Sequence, residues 1–166
     1  MILPDQRSIV AVDPTTRGLA YVVFDRGELV DWGHRRCGRK EREVLWFLDE
    51  LLALSAADAL VFEDPAAVGA RRRPRVRRLL GLMAMLARRR KIAAVPVARS
   101  AIHRAWALRG LTTKEAVAAA IAAQLPELEP HVPPARKTWM SENPHVNIFD
   151  AVSLALHVFD SAHLGP

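Results

Sequence analysis

Ile9 to Val12 is an unbroken apolar run that opens after Ser8 and closes at Asp13-Pro14. A short run rich in β-branched residues predicts a strand buried on both faces. Leu19 to Phe24 repeats the pattern and closes at Asp25. Arg26-Gly27 suits a tight turn, and Glu28-Leu29-Val30-Asp31-Trp32-Gly33 alternates as a third strand. Such short connections make these three strands an antiparallel meander. The period then changes. Between Arg39 and Leu54 the apolar residues Val44, Leu45, Leu48, Leu51 and Leu52 recur at helical spacing, and Trp46 is placed in the same apolar stripe. Ala59 to Phe62 is a fourth apolar strand, closed by Glu63 and barred from continuing by Pro65.

Arg75 to Lys91 predicts a long helix whose middle, Leu79 to Leu86, is apolar nearly all round. Such a helix lies in the core or at a subunit interface. Ile92 to Val97 reads as a fifth strand, with Pro96 marking its end or a sheet edge. Ser100 to Leu108 is helical, with Gly110 as its C-cap residue. Thr112 or Thr113 caps the next helix, Lys114 to Leu125. A proline-rich loop follows, and a last helix runs from Val146 to Phe159. The order predicts one α/β domain over residues 1–166, with strands 1 and 4 adjacent if their terminal acids are to converge. Its sheet is expected to be five-stranded and mixed, three antiparallel meander strands plus parallel strands, flanked by helices.

Composition narrows the function. With 51% apolar and 25% charged residues the 166-residue chain is an ordinary globular sequence. It lacks the run of ~18 apolar residues that a membrane span needs. Cys37 is the single cysteine, which excludes an intrachain disulfide and a multi-cysteine zinc site. With no signal-peptide pattern at the N-terminus, a reducing, cytoplasmic setting is expected. The net charge of +6 is unevenly spread. Pro65 to Lys114 contains no Asp or Glu and fourteen Lys or Arg, leaving ten basic against eighteen acidic residues elsewhere. Twenty of the 24 basic residues are Arg, the side chain suited to bidentate phosphate contacts. A nucleic-acid partner is expected on the basic side. Arg71, Arg72, Arg73, Arg75, Arg77 and Arg78 begin eight residues after Glu63 and are placed to grip phosphates. Arg99, His103 and Arg104 lie in the same acid-free segment. Trp32, Trp46, Trp106 and Trp139 are candidates for stacking on bases, Trp139 beside Lys137 being the best placed.

Two acids end apolar strands, Asp13 and Glu63, and a third, Asp150, sits among Phe149, Val152, Leu154 and Leu156 early in the last helix. A carboxylate beside so much apolar surface needs a partner, and a hard divalent cation is a natural one. Singly, each acid is more often a turn residue or a helix-end charge. Together, three carboxylates around two magnesium ions form the arrangement for in-line phosphodiester hydrolysis.

Val12-Asp13-Pro14-Thr15-Thr16-Arg17-Gly18-Leu19-Ala20-Tyr21 resembles the first-strand motif of the RuvC-type Holliday junction resolvases. Val61-Phe62-Glu63-Asp64-Pro65 is similar to their second acidic motif, and Asp150-Ala151-Val152-Ser153-Leu154-Ala155-Leu156-His157 to their C-terminal helix. Gly110 to Val117 resembles the segment that carries a functionally important lysine. The resemblance spans residues 8 to 160 in order. It implies an RNase H-like fold, a homodimer, and metal-dependent cleavage of branched DNA, the four-way junction, to 5′-phosphate and 3′-hydroxyl ends. It also implies Asp13, Glu63 and Asp150 as catalytic metal ligands for two magnesium ions, with manganese as the alternative metal, and Lys114 at the scissile phosphate.

The sequence departs from the family at three places. Thr15 stands where the family has Gly. Asn147 stands where it has a fourth Asp or His ligand, with His145 or Glu142 as alternatives for that role. Asp64-Pro65-Ala66-Ala67 stands where it has a stacking aromatic. These departures keep two other readings open: a nuclease of the same fold acting on another branched DNA or on structured RNA, and a member that binds nucleic acid without cutting.

Overall fold

A computed structural model describes residues 7–38, 40–133 and 146–163 of the chain. Within them lie five strands and five helices, three strands first and three helices last: β1 (Ser8–Thr15), β2 (Gly18–Asp25), β3 (Glu28–Arg36), α1 (Glu41–Leu54), β4 (Ala59–Glu63), α2 (Pro74–Arg89), β5 (Ala93–Val97), α3 (Arg99–Leu108), α4 (Lys114–Gln124) and α5 (Val146–His163). A 3-10 turn, Pro126–His131, occupies part of the proline-rich loop.

The sheet order is β3-β2-β1-β4-β5. β1 pairs antiparallel with β2, and β2 with β3, while β1–β4 and β4–β5 are parallel. This is the mixed sheet expected from the sequence, with strands 1 and 4 adjacent. β1 lies at the centre and is buried along nearly its whole length, as an uninterrupted apolar run requires. β5 is an edge strand, which is where a strand proline is tolerated.

The pleat sorts side chains between two cores. Val10, Val12, Leu60 and Phe62 face α1 and α2, against Leu48, Leu80 and Met83. Ile9, Ala11, Ala59 and Val61 face the other side, against Ile102 and Trp106 of α3, Ile121 of α4 and Phe149 and Val152 of α5. The result is an α/β/α sandwich with the sheet as its middle layer.

Local chemistry explains the connections. Arg26 and Gly27 both take positive φ, 51° and 84°, the geometry of a two-residue hairpin turn. Gly18 is required by close approach, since a Cβ there would lie 2.1 Å from the Arg35 carbonyl oxygen on β3. α2 begins with Pro74, which has no N–H to leave unsatisfied. α3 ends in a Schellman motif: Gly110, at φ 77°, donates its N–H to Ala107 O, and Leu111 donates to Trp106 O. Thr113 then caps α4, its Oγ1 accepting from Ala116 N at 3.2 Å. Lys114 is thereby fixed as the first residue of α4.

Two expectations need correction. Trp46 is not core: it is 64% exposed, because it lies off the stripe formed by Val44, Leu48, Leu51 and Leu52. Nor is α2 buried all round. Val76, Leu79, Leu80, Met83 and Ala87 make one buried face, while Met85 is 61% exposed on the other.

Candidate active site

The parallel strands bring two acids to one row. Val12 is paired with Phe62 across β1–β4, and Glu63 with Val97 across β4–β5. Asp13 and Glu63 therefore lie side by side on neighbouring strands, Glu63 as the last residue of β4 and Asp13 two residues before the end of β1. The sequence predicts that β1 closes at Asp13, but it stays paired with β2 through Thr15. They continue the alternation Ile9, Ala11 and Ala59, Val61, so both point to the face covered by α3, α4 and α5. α5 adds Asp150 from the same side. All three acids line one cavity of about 320 Å³, together with Arg99, His103 and Lys114. The convergence foreseen from the sequence is present.

Asp13 and Glu63 are buried, and Asp150 is half-buried. Each carboxylate is met by a cation. Arg72 donates from Nη2 to both Asp13 Oδ1 and Glu63 Oε2, each at 2.5 Å, and from Nε to Glu63 Oε2 at 2.8 Å. Arg99 lies 3.5 Å from Glu63 Oε2 and 3.4 Å from Asp150 Oδ2. Lys114 Nζ stands 3.5 Å from Asp150 Oδ2. The network alternates in sign: Asp13, Arg72, Glu63, Arg99, Asp150, Lys114.

Burial pushes the Asp13 carboxyl up to about 6; Arg72 opposes the shift, and Asp150 adds to it. Arg72 is itself partly buried, which pulls its guanidinium down, yet Asp13 and Glu63 together raise it above its ordinary value.

The other sequence candidates are distributed as follows. Arg71, Arg73 and Arg99 line a second, basic groove beside the cavity, and Arg17, His34 and Arg36 join them from the meander. The three meander residues escaped the sequence reading. They lie outside the acid-free segment, and the antiparallel register that brings Arg36 opposite Gly18 is what carries them to the site. Asn147 lines this groove, with Asp150 one helical turn on lining the cavity. Arg78 turns to Glu41 on α1 at 3.4 Å. Arg75, Arg77 and Arg104 line neither space among the described residues. Arg72, expected to grip phosphate, instead bridges two acids, because its place in the β4–α2 loop lies over the strand ends.

Trp106 is buried, and its Nε1 donates to Ser153 Oγ at 3.2 Å, so it is a packing residue rather than a stacking platform. Trp32 packs against the core under the sheet. Lys137, Trp139, Glu142 and His145 lie outside the described residues.

Among the described residues no three His, Cys, Asp or Glu side chains gather as a single metal-binding cluster. The donor set is nonetheless all oxygen, the chemistry that magnesium takes. Asp13 and Glu63 converge closely enough to share one cationic group, and in that respect the pair fits a cation.

No protein-family model matches the chain, and no curated protein matches it in sequence. Solved structures do. Thermus thermophilus RuvC in complex with a Holliday junction substrate superimposes with a TM-score of 0.66 at 16% identity, over 96% of each chain. A second structure of Thermus thermophilus RuvC gives 0.64 at 17% identity, over 94% of this chain and 96% of that one. The chain has the RuvC fold. The RNase H-like architecture expected from the sequence motifs is therefore present over almost the whole length. Among the described residues no helix is long and apolar enough to cross a membrane.

Proposed function

We propose that this protein is a metal-dependent, structure-specific DNA endonuclease of the cytoplasm that resolves four-way junctions by phosphodiester hydrolysis. The observation that carries the reading is the meeting of Asp13, Glu63 and Asp150 in one cavity, beside a basic groove, on a RuvC fold. Asp13, Glu63, Asp150 and Asn147 would hold two magnesium ions, or manganese in their place. When bound, such ions activate water and stabilise the leaving oxygen. Arg71 and Arg73 line the groove where the phosphate backbone would run. Lys114 extends from the start of α4 toward Asp150, where its ammonium would meet charge developing on the scissile phosphate.

The test is cleavage of a labelled synthetic four-way junction against matched linear duplex, in magnesium and separately in manganese. Paired symmetric nicks confined to the junction are expected. Equal cutting of the linear duplex would replace the resolvase reading with a nuclease of another substrate. One observation favours a second reading: three cations already face the three acids, and Asn147 adds no charge. Tight junction binding with no nicks in either metal would make the protein a non-cleaving junction binder.

The groove makes a separate prediction. Replacing Arg71 and Arg73 together with Gln should weaken junction binding and lower the slope of log Kd against log salt by about 1 for each phosphate no longer neutralised. Arg78→Gln should leave the slope unchanged, since Arg78 faces Glu41. Fluorescence anisotropy across a salt titration reads both.

A homodimer is proposed as well. Two-fold symmetric junctions suit a two-fold symmetric enzyme. The outer faces of α1 and α2 support it: Trp46 of α1 and Met85 of α2 are more than half exposed, and they line one groove together with Leu82 and Leu86 of α2. Met85→Glu should shift the species seen by light scattering from dimer to monomer, with the melting temperature little changed.

A further inference from the structure

Arg72 occupies a position with two exits. Its guanidinium sits between Asp13 and Glu63, with hydrogen bonds to both. Its side chain, with that of Arg99, forms part of the wall shared by the acid cavity and the basic groove. Residues 64–73 form neither helix nor strand, so turning Arg72 from one space to the other breaks no backbone ladder.

The two spaces differ in charge. On the inner side two buried carboxylates hold the guanidinium. On the outer side stand Arg17, Arg36, Arg71 and Arg73, and among the described residues no carboxylate lines that groove. An outward Arg72 adds a like charge to an already basic surface, which is unfavourable unless a polyanion is present. Phosphates along the groove reverse that balance. They neutralise the neighbouring arginines and offer the departing guanidinium a bidentate partner. Asp13 and Glu63 are then left as two buried carboxylates without their shared cation, a state that demands a replacement.

We propose that Arg72 is a displaceable counter-ion that couples the two ligands of this site. It holds Asp13 and Glu63 until backbone phosphates draw it into the groove, so DNA binding and divalent-cation binding reinforce each other. The inference rests on the nuclease reading, because that reading supplies both the polyanion and the cation. By linkage the effect is reciprocal: whatever factor DNA contributes to cation affinity, the cation contributes to DNA affinity.

The experiment measures Mn²⁺ binding to the full-length protein without DNA, from the electron paramagnetic resonance signal of free Mn²⁺. Arg72→Gln should bind Mn²⁺ at least tenfold more tightly than wild type. Arg72→Lys, which keeps the charge and loses the fork, should fall between them. Arg88→Gln, an exposed charge removed elsewhere on α2, should match wild type. In a second arm, junction affinity by anisotropy should rise severalfold for wild type between EDTA and Ca²⁺, and at least threefold less for Arg72→Gln. Thermal melts confirm folding, and Arg72→Lys decides the matter if the Gln variant does not fold. Equal Mn²⁺ affinity in wild type and the Arg72 variants would overturn the proposal while leaving a metal-dependent nuclease intact. Absence of Mn²⁺ binding in every folded variant would overturn it together with the nuclease reading.

Discussion

Asp13→Asn is expected to abolish junction cleavage, by on the order of a thousandfold or more, while leaving junction binding close to wild type. The same change should stabilise the fold at neutral pH. Burial raises the Asp13 carboxyl from 3.8 in the unfolded chain to about 6 in the fold. The folded state therefore keeps this proton to higher pH than the unfolded state does. For a carboxyl raised in this way, stability is fully present below the unfolded value and is lost as pH rises through about 6. Asn mimics the protonated acid and removes that loss. Wild type and variant should melt together near pH 4, and the variant should melt higher at pH 8. The displacement from 3.8 to about 6 bounds the gain at about 3 kcal/mol. Thermal melts at the two pH values, beside single-turnover cleavage, check both halves. An acid kept for structure alone would show the opposite stability change. Unchanged cleavage would remove Asp13 from the chemistry.

That paired outcome is the mark of a site that works against its fold, and it bears on how much of the site was legible in the sequence. Asp13 and Glu63 could be read because each is the first carboxylate after a buried apolar run, although β1 continues two residues past Asp13 to Thr15. Parallel pairing of β1 with β4 then makes the two acids neighbours. Asp150 was legible for the same reason, as a charge on an otherwise apolar helix face. The inward turn of Arg72 was not. Arg71, Arg72 and Arg73 are chemically identical and adjacent in an irregular loop. Which one reaches the acids depends on the path of the β4–α2 connection, and no periodicity encodes it. Arg17 and Arg36 were missed because their approach to the groove depends on the sheet register. β3 was read to Gly33, yet it continues to Arg36, since an edge strand can carry the polar run His34-Arg35-Arg36 without an apolar alternation to announce it. Trp46 is a different case. Its place in the helix, two residues from both Val44 and Leu48, puts it opposite the buried stripe, so the period itself contained the correction.

Trp106→Ala should cost about 3–5 kcal/mol of stability and lower the melting temperature by on the order of 10 °C. The indole ties the walls of the site together. It extends from α3, the helix that opens with Arg99, and it donates to Ser153 Oγ on α5, one turn beyond Asp150. The Arg109 guanidinium lies 5.2 Å from its ring centroid, in cation–π contact, and Arg109 is in turn paired with Asp160 of α5 at 2.7 Å. Removing the indole leaves a void between two helices that carry site residues. Cleavage should therefore fall even at temperatures where the variant is folded, because Arg99 and Asp150 lose their common brace. Trp106→Phe separates packing from hydrogen bonding. It keeps most of the apolar volume, loses the Nε1 donor, and should cost about 1 kcal/mol. Neither variant should change junction affinity by more than about twofold at 20 °C, since the ring is buried and unavailable to a base. A stacking role would give the reverse pattern, with affinity lost on Trp106→Ala and the melting temperature unmoved. Measuring the two quantities on the same two variants decides between a helix brace and a base platform, and the brace is the role that the hydrogen bond to Ser153 requires.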